Sequence, residues 1–120
     1  MNLFIILGNQ LFPLHHTAQY KNDTIFFMAE DYSLCKHLKP SKKKILLFLS
    51  AMRSYADKLI KNGYNIIYLD KDHKSFEDDY IRKLDDIIKE KGINKVCFFE
   101  IEDKFFENNI KSYLTENNII

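Results

Sequence analysis

The side chains that can do chemistry in this chain gather where apolar runs stop. Leu3, Phe4, Ile5, Ile6 and Leu7 run unbroken into Gly8, Asn9 and Gln10, and the two amides can each donate and accept hydrogen bonds. That pairing suits a heterocycle edge bearing both N–H and carbonyl groups; equally, the amides can simply brace the turn. Glu30 and Asp31, and the carboxylates Glu100 and Glu102, close two further apolar runs. Paired carboxylates can do general acid–base work where a substrate pocket meets them. Lys42, Lys43 and Lys44 form a cationic cluster. It invites an anionic partner, whether Glu30 and Asp31, a ligand phosphate or carboxylate, or a neighbouring domain, and otherwise stands solvated. Arg53 can reach a strand-end carboxylate, a partner surface, or an ordinary ion-pair partner at the surface.

Other chemistries lack their residues. The turn at Gly8 has a single glycine, without the GxGxxG that seats a dinucleotide pyrophosphate, and no GxxxxGK[ST] phosphate loop occurs. A phospho-acceptor receiver domain would need acidic residues where Gly8 and Asn9 stand. His15, His16, His37 and His73 show no metal-ligand spacing, and Cys35 and Cys97 form no CxxC, so neither zinc nor a disulfide framework is indicated. No nucleophile and base pair up in the sequence, so no catalytic residue and no metal ligand is assigned.

The elements that must position these groups follow from periodicity. Residues 3–7 are continuously apolar, as expected of a central parallel strand covered on both faces. Residues 24–29, β-branched and aromatic, form a second strand. Ile45, Phe48, Leu49, Met52, Ala56, Leu59 and Ile60 recur at helical spacing and predict a helix over residues 41–61, with Ser41 as N-cap and Gly63 as the stop. A third strand covers residues 65–69. Ser75, with Asp78 three residues on, opens a helix striped by Phe76, Tyr80, Ile81, Leu84, Ile87 and Ile88 and closed by Gly92. Residues 95–99 form a fourth strand, Phe106, Ile110, Tyr113 and Leu114 mark a last helix, and Ile119 and Ile120 read as the start of a fifth strand. Alternating strands and helices imply an α/β fold, a doubly wound parallel sheet of four to five strands flanked by helices. Ligands of such sheets sit outside the carboxyl ends of the strands. That puts Gly8, Asn9, Gln10, Glu30, Asp31, Asp70 and Glu100 on one rim.

Bulk properties narrow the function classes. Residues 1–120 match the size of a single domain with one core. With 18 basic against 17 acidic side chains the formal charge is +1, so no net field draws the chain to DNA or to an anionic membrane. Its apolar runs fall short of the roughly 20 residues that cross a bilayer, and its start lacks the pattern of a secretory signal. A soluble, cytoplasmic protein is expected.

Leu7-Gly8-Asn9-Gln10-Leu11, the Met28-Ala29-Glu30-Asp31 strand end, and the stretch from Lys42 through Ser50-Ala51-Met52-Arg53 and Tyr55-Ala56 to Gly63-Tyr64 together resemble one family. It is the deoxyribodipyrimidine photolyase-related proteins, the prokaryotic branch of the cryptochrome/photolyase superfamily that includes bacterial six-four photolyases. The resemblance spans essentially the whole chain and corresponds to the amino-terminal, Rossmann-like domain of longer proteins. It implies that this domain carries an antenna chromophore, a ribityllumazine (6,7-dimethyl-8-ribityllumazine). FAD, an iron–sulfur cluster and the lesion pocket would belong to a helical remainder outside residues 1–120, in the same or a partner chain. By the same resemblance Gly8, Asn9 and Gln10, with Glu30 and Asp31, border the antenna pocket, and the amino-terminal half of the helix beginning at Lys42 lines it; Glu100 shares their rim. The chain alone would then be no enzyme and would make no direct DNA contact. Asn9 stands where family members often carry Asp, and Pro40-Ser41 where they often carry His. A docking module for the flavin domain that binds no ligand, or a stand-alone small-molecule-binding α/β protein, are the alternatives.

Overall fold

The computed structural model describes residues 2–7, 10–13, 17–30, 42–70, 80–101, 104–117 and 119, with Gln19 and residues 42–45 described by their backbone alone. Four strands, β1 (Asn2–Ile5), β2 (Thr24–Ala29), β3 (Asn65–Leu69) and β4 (Lys95–Phe98), form one all-parallel sheet in the order β3-β2-β1-β4. Among the described residues three helices, α1 (Lys42–Lys61), α2 (Tyr80–Lys91) and α3 (Lys104–Glu116), flank it, and a short 3-10 turn at Ala18–Tyr20 lies between β1 and β2. This is a Rossmann-like α/β architecture. The chain steps outward from β1 through β2 to β3, then returns to place β4 on the other side of β1. The carboxyl ends of β1 and β4 therefore form the topological switch point.

Strand parity assigns the core. Leu3 pairs in register with Ile25 and Ile5 with Phe27. These side chains, with Leu7 and Ala29, pack against Tyr80, Leu84, Ile87 and Ile88 of α2 and Ile110 and Leu114 of α3. Phe4 and Phe26, also partners, point the other way with Ile6 and Met28, toward Leu49, Met52, Tyr55, Ala56 and Leu59 of α1. A slip of one residue would exchange the two faces, so burial on both sides fixes the register. Phe26 and Phe27 are wholly buried, and truncating either to alanine costs about 3–5 kcal/mol.

Helix α1 ends as its glycine predicts. Gly63 has φ +80°, its N–H bonds the Ile60 carbonyl at 3.0 Å, and the Tyr64 N–H bonds the Leu59 carbonyl at 3.0 Å. These two bonds make a Schellman motif, and the buried Leu59 and Tyr64 lie in one cluster beneath it.

Strands two and three match their expected bounds. The first ends at Ile5, although the Ile6 N–H still bonds the Phe27 carbonyl at 3.0 Å, and the fourth ends at Phe98. Two expectations need correction. Ile60 is 55% exposed rather than on the apolar stripe, because it lies about 100° round the helix from Leu59; Tyr55 takes the inward place. Ile119 does not continue as a strand residue: its N–H bonds the Leu114 carbonyl at 2.9 Å, closing α3, and its side chain packs on the core. Ser41, Ser75, Phe76 and Asp78, expected in helix openings, lie outside the described residues. Among the described residues no helix is long and apolar enough to cross a membrane.

Candidate functional site

Parity also places the main polar constellation. Glu30 directly follows β2 and shares the facing of Phe26 and Met28, so its side chain turns toward α1. Its N–H extends the ladder to the Leu69 carbonyl at 2.7 Å. Tyr68 on β3 is opposite Met28 and faces the same way. Arg53 lies one helical turn beyond the buried Leu49, which brings its guanidinium over the same corner. Nε of Arg53 donates to Glu30 Oε2 at 2.7 Å and Nη2 donates to Oε1 at 2.9 Å, a bidentate pair, while the Tyr68 hydroxyl also donates to Oε2. From the opposite face, the buried Lys83 of α2 sends Nζ to the Glu30 carbonyl oxygen at 3.3 Å. The Glu30 side chain is 0% exposed and that of Arg53 46%.

The electrostatics follow from this geometry. Hydrogen bonding to Glu30 raises the Arg53 pKa beyond its already high value, so the cation is permanent. Burial, then the bond to Glu30, pushes the Tyr68 phenol well above its ordinary range and keeps it a donor.

A second, neutral constellation occupies the switch point. Gln10 is 4% exposed; its Oε1 accepts the Leu7 N–H at 3.3 Å and its Nε2 donates to the Glu100 carbonyl at 3.1 Å. One amide thus ties the end of β1 to the end of β4. Beside it, Phe12 is 41% exposed and meets Phe99 edge-on at 4.9 Å between centroids, and Phe99 in turn meets Phe4 at 5.2 Å. The Tyr55 hydroxyl donates to the Phe12 carbonyl at 2.6 Å, anchoring this segment to α1. Just beyond β4, the Glu107 carboxylate accepts the Ile101 N–H at 2.9 Å and lies 3.5 Å from both Lys104 and Lys111. That backbone bond, more than the two lysines, holds its pKa below the ordinary 4.5.

The family model of the deoxyribodipyrimidine photo-lyase-related proteins matches residues 4–120. The chain belongs to this family. Among curated proteins, none matches it.

Of the candidate residues read from the sequence, Gln10 and the Glu100 backbone are brought together, and Glu30 is joined to Arg53, Tyr68 and Lys83. The Glu100 side chain is 84% exposed and pairs with Lys104 at 2.9 Å. Lys42 is the first residue of α1, and its side chain is outside the description. Gly8, Asn9 and Asp31 lie outside the described residues, as do Glu102 and the four histidines. Arg53 takes the strand-end carboxylate among the partners open to it. Tyr68 and Lys83 were not singled out by sequence. Tyr68 sits in an apolar strand run, where period-two parity with Glu30 is the one available signal. Lys83 falls among the inward positions Tyr80, Leu84 and Ile87 of α2, an anomaly that helical spacing alone can reveal.

Proposed function

We propose that this domain holds an antenna chromophore, 6,7-dimethyl-8-ribityllumazine, at the carboxyl edge of its sheet. It would serve a flavin held by a helical domain of the same or a partner chain, in a photolyase- or cryptochrome-related protein of light-dependent DNA repair or blue-light sensing. The observation that carries the reading is the family match, which runs through the whole Rossmann-like unit. Gly8, Asn9, Gln10, Glu30, Asp31, Lys42 and Glu100 are the proposed border. The described part of that edge suits a flat polar heterocycle: the half-exposed Arg53 guanidinium supplies donors, and Phe12 with Phe99 supplies aromatic surface. Energy transfer depends on distance and orientation, so the domain needs no catalytic residue, no direct DNA contact and no membrane. FAD and an iron–sulfur cluster belong, in this reading, to the helical domain, and the setting is cytoplasmic.

The test is a titration of the purified chain with ribityllumazine, followed by fluorescence and visible absorption. Saturable binding at one site supports the proposal. A second reading, a docking module for the flavin domain that binds no chromophore, is favoured by Leu46 and Leu47, neighbours on α1 that are 61% and 63% exposed. A folded chain that shows no saturable binding would replace the first reading with this one.

A further inference from the structure

The Glu30 corner settles which side chain can meet a ligand there. Among the described residues, the Glu30 carboxylate oxygens accept two hydrogen bonds from Arg53 and one from Tyr68, and the side chain is 0% exposed. A ligand cannot reach those oxygens without displacing the guanidinium or the phenol. Arg53 is the reverse case. Nε and one N–H of Nη2 are engaged with Glu30, Nη1 has no hydrogen-bond partner among the described residues, and 46% of the side chain is open. Guanidinium donors lie in a fixed plane, so clamping one edge on a carboxylate aims the other edge outward in a set direction. That outer edge carries N–H donors and no acceptor.

We propose that Arg53 is the ligand-contacting, specificity-determining residue at this corner, with Glu30 its positioning residue. The ligand edge it meets bears hydrogen-bond acceptors, carbonyl or anionic oxygens, and not N–H donors. The inference rests on the reading of the carboxyl edge as a ligand site, and it reverses the polarity that a strand-end carboxylate suggests. Glu30 acts on the ligand only through the guanidinium it holds. Tyr68 donates to Oε2 from β3 and helps hold the carboxylate where Arg53 meets it.

The chain has two arginines, Arg53 and Arg82, and Arg82 is 71% exposed on α2, so it serves as an internal reference. The experiment is modification of the wild-type chain by p-hydroxyphenylglyoxal, mapped by mass spectrometry, with ribityllumazine or inorganic phosphate as protectant. Selective protection of Arg53 over Arg82 by ribityllumazine supports the proposal and identifies a carbonyl edge. Protection by phosphate alone retains the acceptor site and removes the chromophore reading. Ribityllumazine binding that leaves Arg53 as reactive as before overturns this inference and spares the proposed function; protection by neither probe, with no binding, overturns both. A binding series then separates contact from positioning. Arg53→Gln should weaken ribityllumazine about 10- to 100-fold, as loss of a charged hydrogen bond does, with partial rescue in Arg53→Lys. Glu30→Gln should weaken it in the wild-type background and add nothing in the Arg53→Gln background. An undiminished Glu30 effect in that double variant would mean direct contact with Glu30, against the proposal.

Discussion

Glu30 and Glu100 look alike in sequence, each a glutamate following an apolar strand run, yet the fold gives them opposite fates. Glu30 follows β2, which has β1 and β3 on either side and α1 across its face; its side chain is enclosed and bonded by Arg53 and Tyr68. Glu100 follows β4, the strand at the end of the sheet order, and its side chain is 84% exposed with one lysine beside it. What Glu100 contributes to the site is its backbone carbonyl, taken by Gln10. A carboxylate's electrostatic weight depends on how much water is removed around it, and strand order, not local sequence, controls that.

This contrast can be broken most sharply at Arg53. Arg53→Ala leaves an enclosed carboxylate without its cation and should destabilise the domain by about 2–3 kcal/mol. That is less than for a fully buried pair, because the guanidinium is half in water. Urea unfolding measures it, and a double-mutant cycle with Glu30→Ala should show coupling well beyond additivity; additive losses would mean that the pair does not act as a unit. Gln10→Ala comes next. Stranding the Leu7 N–H and the Glu100 carbonyl should cost about 1–2 kcal/mol, read from the shift in denaturation midpoint.

A third glutamate near the same edge refines the comparison through pH. Glu107 has a folded pKa below 4.5, so its stabilisation is fully present above that pH and is lost as pH falls through the lower folded value. Wild type and Glu107→Gln should therefore differ in stability at neutral pH and converge as the solution is acidified below 4.5 and through the lower folded value. Parallel curves over that range would assign the Glu107 effect to packing. The smallest change is expected at Glu100 itself: Glu100→Ala should alter stability by about 0.5 kcal/mol or less, since the backbone carbonyl that Gln10 uses is retained.

Much of the scaffold was legible because its signals are local. Apolar runs marked the strands, and the helical recurrence of Leu49, Met52, Ala56 and Leu59 marked α1. Gly63 announced the turn that only a left-handed backbone completes. Legibility failed where one residue of rotation or one distant contact mattered. Ile60 counted as a stripe residue by type although its azimuth faces water, and Tyr55 was passed over as a core position. Of the candidate site, the places of Gln10, Glu30 and Glu100 just beyond strands were readable. The partners were not: Gln10 meets Glu100 across 90 residues, and Tyr68 and Lys83 reach Glu30 from 38 and 53 residues away.

Side-chain chemistry and hydrophobic spacing, both written along the chain, were enough to specify parallel strands alternating with helices and a polar carboxyl edge. They carry no record of which strand lies inside the sheet or which helix crosses which corner. Those arrangements come from burying two apolar faces at once, and they determined that Glu30 is sealed, Arg53 is clamped on it and half-exposed, Gln10 acts as a brace and Glu100 is left in water.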